Sequence, residues 1–166
     1  KPAVRVAEKT GNNWDEIKTV RLVNGAWQVK FDPQFGGPAE TVTFNQLTDW
    51  SRNDNKSVKY YSGTAVYANT FNWAAKPAKS ARFWLDVGTV NNIASVKING
   101  ITCGVAWTAP YRVDITKALR AGTNNLTIEV SNTWANRLIG DHSLPPGERL
   151  TNTTAPYRLD KKPLLP

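Results

Sequence analysis

The stretch Ser95 to Val105 (SVKINGITCGV) constrains the fold of this chain more than any other. Asn99-Gly100 stands between two runs rich in β-branched residues, and both positions of a two-residue turn require positive φ, which Asn and Gly tolerate best. The stretch therefore reads as a β-hairpin. A two-residue turn places Ile98 opposite Ile101 and Val96 opposite Cys103 on the same face. Cys103 then meets a buried valine, so a small core residue is the expected role and not a reactive thiol.

The rest of the chain repeats the same grammar. From about Val20 onward, short alternating runs are broken by Gly, Pro, Asn and Asp, and helical periodicity is almost absent. Strands are expected over Ala26 to Phe31, with a short edge at Val42 to Phe44. Gly63 to Phe71 places Ala65, Tyr67, Asn69 and Phe71 on one face. Ala81 to Val87 separates Phe83, Leu85 and Val87 from Arg82, Trp84 and Asp86. Tyr111, Val113 and Ile115 share a face, and so do Leu126, Ile128 and Val130. Between these last two runs, Thr116 to Leu119 fits one helical turn, with Asp114 or Thr116 as cap and Gly122 as its end. Strands this short and numerous close a core best as two packed sheets with connections crossing between them. The expected layout is an extended lead-in over residues 1–19 and one all-β sandwich over residues 20–166, a length able to bury a core without disulfides or metal.

Composition removes several classes of function. A single cysteine excludes an internal disulfide. One cysteine with one histidine, His142, is too few for an ordinary zinc site. No apolar run approaches the length of a membrane span, so no membrane partner is expected. The net charge of +8 raises the question of nucleic acid. The basic residues are scattered, however, with no basic helix and no nucleic-acid module. A solvated basic surface, or attraction to an acidic glycan, accounts for the charge. Three Asn-x-Ser/Thr matches, at Asn55, Asn125 and Asn152, are expected by chance in a chain this rich in Asn and Thr.

Independent catalysis finds little support. Glycoside hydrolysis needs two carboxylates about 5 to 9 Å apart, one with a raised pKa. Asp86 and Glu129 fall on outward strand faces, Asp114 suits a cap, and Asp32, Asp49 and Asp54 lie in polar turns. Asp141 stands beside Arg137 and His142 in what reads as a loop, where an ion pair or a cap is the expected use. His142 has no Gly-x-Ser-x-Gly elbow to serve. Gly36-Gly37-Pro38 is too short to cradle phosphate and is expected to turn the chain.

Several motifs then point to a family. Tyr60-Tyr61-Ser62-Gly63-Thr64-Ala65, Leu85-Asp86-Val87-Gly88, Asn99-Gly100 through Gly104, Asp114-Ile115-Thr116 and Gly122-Thr123-Asn124-Asn125-Leu126 occur in that order. This order resembles the sugar-binding jelly-roll domain of glycoside hydrolase family 2. The flanks Gly25 to Pro33, Leu47 to Ser51 and Val58 to Gly63, with Asn132-Thr133-Trp134-Ala135-Asn136-Arg137-Leu138-Ile139-Gly140-Asp141, are similar to the C-terminal sandwich of family 106 α-L-rhamnosidases. The resemblance covers roughly Gly25 to Asp141, with a weaker match at Leu164-Leu165-Pro166. The family pattern continues into a closing strand, whereas this chain stops at Pro166, so a strand is expected to be missing there.

The resemblance implies a galactose-binding-like jelly roll and a periplasmic or extracellular parent enzyme that removes rhamnose from polysaccharides. The catalytic domain of that parent would be the partner of this chain. Such sandwiches sometimes hold a structural calcium, but no Asp-rich loop here argues for one, and no cofactor is expected. Aromatic residues remain to be placed. Trp27, Phe31, Phe44, Phe71 and Phe83 are expected in the core. Trp84 is more open, between the solvent-facing Arg82 and Asp86. The segments Trp107 to Arg112 and Asn132 to His142 both leave strands, and loops at one end of a sandwich commonly carry function. Trp107, Tyr111, Arg112, Trp134, Asn136, Arg137, Asp141 and His142 are therefore the candidate ligand or domain-interface residues. An exposed apolar loop rimmed by Arg137 and Asp141 would suit contact with a catalytic domain. An autonomous carbohydrate-binding module and a protein–protein adhesion domain are the rival readings.

Overall fold

Thr64–Trp73 and Gly122–Ser131 pair along their whole length and form the middle of the larger of two antiparallel sheets. The computed structural model describes residues 18–74 and 81–152. In chain order the strands are β1 (Trp27–Lys30), β2 (Val42–Phe44), β3 (Thr64–Trp73), β4 (Trp84–Asp86), β5 (Ile93–Ile98), β6 (Ile101–Ala106), β7 (Arg112–Asp114) and β8 (Gly122–Ser131). Six of them form one sheet in the order β2-β1-β3-β8-β5-β6, and β4 pairs with β7 in a two-stranded sheet. Two helices are short: α1 (Lys56–Lys59) and α2 (Ala135–His142).

Period-two alternation produces this arrangement, because successive side chains of a strand point to opposite faces. Along β3, Ala65, Tyr67 and Phe71 are buried while Thr64, Ala68, Thr70 and Asn72 are exposed. The neighbouring β8 buries Leu126 and Ile128, and β5 buries Ala94, Val96 and Ile98. From the small sheet, Val113 enters the same core, with Phe83, Leu85 and Val87 packed against it. One end of the core is an aromatic cluster. Phe31 meets Tyr61 and Trp50 edge-on at 4.9 and 5.4 Å between ring centroids. The indole N–H of Trp50 donates to the Tyr67 hydroxyl, so the buried nitrogen keeps a partner. Trp27, Phe31, Phe44 and Phe71 are buried as expected, and Phe83 is half-buried.

The hairpin forms with Asn99 at φ 53° and Gly100 at φ 80°, and Ile98 pairs with Ile101. Farther from the turn, the expected register fails. Val96 pairs with Gly104 and Lys97 with Thr102, so Cys103 is the extra residue of a β-bulge and does not oppose the valine. It is half-buried against the core, its thiol donates to the Ile101 carbonyl, and burial pushes its pKa up. The Ala81 to Val87 run alternates as expected but pairs over Trp84–Asp86 alone, because its partner β7 is equally short. Thr116 to Leu119 makes a single turn, Leu119 N–H donating to Ile115 C=O, and the Asp114 carboxylate caps it at Thr116 N–H. Lys18 and Thr19 are exposed and belong to no strand. The rest of the expected lead-in, the Leu164-Leu165-Pro166 match and any strand beyond lie outside the described residues.

Candidate functional site

All the candidate residues gather at one end of the sandwich. Ser131 at the end of β8 pairs with Thr64 and Ile93, the first residues of β3 and β5. Ala106 at the end of β6 and Val130 of β8 flank Ala94 on either side. Two strand spacings, roughly 10 Å, therefore separate the chain leaving β6 from the chain leaving β8. The first of these carries Trp107 and Tyr111 into Arg112 of β7. The second carries Trp134, Asn136, Arg137, Asp141 and His142.

The second segment is not the loop expected for it. Ala135–His142 forms the helix α2, and its buried side is made of Arg137, Gly140 and Asp141. These recur at i, i+3 and i+4, the spacing of one helical face. Trp134, at the N-cap, gives no side-chain cap bond. The hydroxyl of Ser62, on the approach to β3, instead accepts from Arg137 N–H at 3.0 Å and fills that role from a distant segment. Asn132 stitches the same two segments together. Its Oδ1 accepts from Gly63 N–H at 2.9 Å, and its Nδ2 donates to Tyr61 C=O at 2.9 Å. Gly140 lets the helix close onto Tyr60, since a Cβ there would lie 2.7 Å from the Tyr60 Cβ.

Arg137 and Asp141 form the inner part of this lock. They are 9% and 2% exposed, so they do not rim an exposed surface, and that expectation is corrected. The guanidinium reaches the Phe35 and Gly36 carbonyls at 3.4 and 3.5 Å and the Asp141 carboxylate at 3.5 Å. Gly36 has φ 75°, and a Cβ on it would lie 2.6 Å from Arg137 Nη2. The positive φ favours glycine there, and a side chain would displace the guanidinium from its carbonyl partners. Asp141 Oδ2 accepts from both the backbone N–H and the hydroxyl of Thr151, at 2.8 and 2.7 Å. Burial by itself would raise the Asp141 pKa. The Thr151 hydroxyl, the Thr151 and Leu150 backbone N–H groups and Arg137 together outweigh it, and the pKa is lowered. A carboxylate held charged this way accepts hydrogen bonds and is a poor proton donor. Ser62, Asn132 and Thr151 were not among the expected site residues; Ser62 and Asn132 stand in the motifs that carry the family resemblance, but nothing in the local sequence of Thr151 marks it out.

Three large apolar or aromatic side chains of these two segments stay exposed at this end. Trp107 is 70% exposed and Trp134 63% exposed, and Ile139 on α2 is also exposed. Asn136 and Tyr111 are half-buried, and His142 is exposed. Arg112 lies on the outer face of the small sheet, its Nε donating to Asp86 at 2.9 Å. The same face carries Trp84, which the register sets directly opposite Asp114. A separate cleft of about 290 Å³, lined by Arg21, Asn24, Phe71, Asn72 and Thr123 among others, lies at the far end of β3 and contains none of the candidate residues. Among the described residues, no group of three or more His, Cys, Asp or Glu is placed to hold a metal ion, and no helix is long and apolar enough to cross a membrane.

Comparison with known proteins matches this architecture. Residues 42–160 match the family model of the glycosyl hydrolase 2 galactose-binding domain-like group. A solved rhamnosidase from Novosphingobium sp. PP1Y superposes with a TM-score of 0.77 at 40% identity, covering 93% of this chain and 15% of that one. A protein of Formosa agariphila, provisionally named a β-glucuronidase, is 42% identical over 130 residues, which are 75% of this chain and 11% of that protein. A β-glucuronidase from Ruminococcus gnavus shares the fold, with a TM-score of 0.56 at 17% identity over 72% of this chain and 23% of that one. This chain thus spans a small part of the length of each relative. It is an all-β sandwich of antiparallel sheets and belongs to the glycosyl hydrolase 2 galactose-binding domain-like family.

Proposed function

We propose that this chain is the ancillary, non-catalytic sandwich of a larger glycoside hydrolase resembling the family 106 α-L-rhamnosidases. The observation that carries the reading is the likeness to the Novosphingobium rhamnosidase, which extends over nearly the whole chain at 40% identity. The chemistry of the lock agrees with it. The polar residues of the Asn132 to Asp141 motif that are sealed inside serve internal bonds, and so hold the fold together and leave no reacting group exposed. At the same end, Trp107, Trp134 and Ile139 offer the apolar surface that a catalytic domain would cover. A polymer-degrading parent would work in the periplasm or outside the cell.

The coding sequence around this chain is the first test: a barrel-sized catalytic segment is expected beside it, and its absence would favour the adhesion reading. The second test uses the parent hydrolase. Trp107→Ala combined with Trp134→Ala should lower the Tm of the parent, while in this chain alone such exposed positions should change stability by no more than about 0.5 kcal/mol each. Equal melting of the parent with and without the substitutions would contradict the interface.

A further inference from the structure

Trp84 stands outside the core and takes no part in its packing. The β4–β7 ribbon is held by its inner side, where Val113 is buried and Phe83 and Leu85 pack against the core, with Ile115 N–H donating to Phe83 C=O. The outer side asks only for strand-compatible residues, yet it presents an indole that is 44% exposed. Its cross-strand neighbour is Asp114, and the adjacent pair is Asp86 with Arg112. Arg112 lies diagonally across from Trp84, at roughly 7–8 Å between Cα positions. It uses Nε on Asp86, and no partner among the described residues takes its two terminal amino groups. Arg82 and Lys117 act electrostatically on Asp114 and bring further positive charge to this face.

We propose that the outer face of the β4–β7 ribbon is a binding site for a pyranose ring bearing a carboxylate, with Trp84 as the stacking floor and Arg112 as the anion anchor. The C–H-rich face of a pyranose packs on an indole, and the diagonal distance is about the width of such a ring. A guanidinium with both terminal amino groups free takes a carboxylate in a bidentate pair across its end-on edge, and Asp114 stands across from the indole to accept from a ring hydroxyl. Arg82, Arg112 and Lys117 outnumber Asp86 and Asp114 here, in a chain whose net charge is +8, so an acidic sugar is favoured over a neutral one. Because Arg112 adjoins the 107–111 loop, a glycan on this platform would run toward the end assigned to the catalytic domain. That placement rests on the ancillary reading, whereas binding is measured on this chain alone, so the two can fail separately.

The test is an NMR titration of the whole chain with trigalacturonate, with maltotriose as the neutral control. Loss of one indole N–H signal in Trp84→Ala identifies Trp84. That signal should shift saturably with trigalacturonate, weaken as salt rises, and respond little to maltotriose. Read on the backbone amides of Arg112 and Asp114, Trp84→Ala should weaken binding about tenfold or more, and Arg112→Gln should remove the preference for the charged sugar. If Trp84→Ala does not fold, Arg112→Gln carries the test. A Trp84 signal that stays still, equal response to both trisaccharides, or shifts confined to Trp107 and Trp134 would each overturn the proposal.

Discussion

Asp141 and Asn124 are both sealed from solvent and well supplied with hydrogen bonds, Asp141 tying α2 to Thr151 and Asn124 tying the start of β8 to the Asn99 turn. Asn124 accepts from Arg120 N–H and Asn99 Nδ2 and donates to the Arg120 and Gly122 carbonyls. Asn124→Ala strands several of these groups at once, and urea denaturation should show a loss of about 3 kcal/mol. Asp141→Asn keeps the shape and the acceptor for Thr151 but leaves the Arg137 charge without its counterion, so a loss of about 2–4 kcal/mol is expected. The pH profile gives an independent check. Folding lowers the Asp141 pKa, so as pH falls the unfolded chain takes up this proton first. Stability that Asp141 supplies is full above its unfolded value, about 4, and is lost as pH falls through the folded one. Denaturation midpoints of the native chain should therefore fall more steeply in acid than those of Asp141→Asn, and parallel profiles would remove Asp141 from the lock.

At the scale of elements, the strands were legible because each has a simple period, and the two departures have physical causes. Helix α2 escapes an apolar-periodicity search because its buried stripe is Arg137, Gly140 and Asp141, none of them apolar, and because its cap comes from Ser62 in another element. Asn132, Arg137 and Asp141 drew attention as a family motif, but Asn132 is placed by the 61–63 segment, and Arg137 and Asp141 are drawn inward by Phe35, Gly36 and Thr151, which no local pattern connects to them. The β6 bulge did carry a local signal, since Gly104 stands inside a strand run and a glycine there commonly marks a bulge; its φ of 152° fits that use. The close seat of α2 makes its own prediction. Gly140→Ala puts a methyl against the Tyr60 Cβ, which belongs to the rigid root of that side chain. Thermal melts should show a loss of about 1–3 kcal/mol, even though alanine is the better helix former.

For the whole molecule, the described residues form a six-stranded and a two-stranded sheet around one core, and the buried polar residues Ser62, Asn124, Arg137 and Asp141 bond turns and α2 to it. Two packed antiparallel sheets followed from strand period and turn residues, whereas the jelly-roll type came only from the resemblance of the motifs to a known family. Which of the candidate residues face out could not be read locally, because burial is decided by packing between distant segments. Trp107 and Trp134 stay outside, while Arg137 and Asp141 are drawn in. The central claim is that this sandwich breaks no glycosidic bond itself. Assaying the purified chain against an aryl α-L-rhamnoside tests it most directly. The account predicts no turnover above the uncatalysed rate, and turnover that disappears in Asp141→Asn would contradict it.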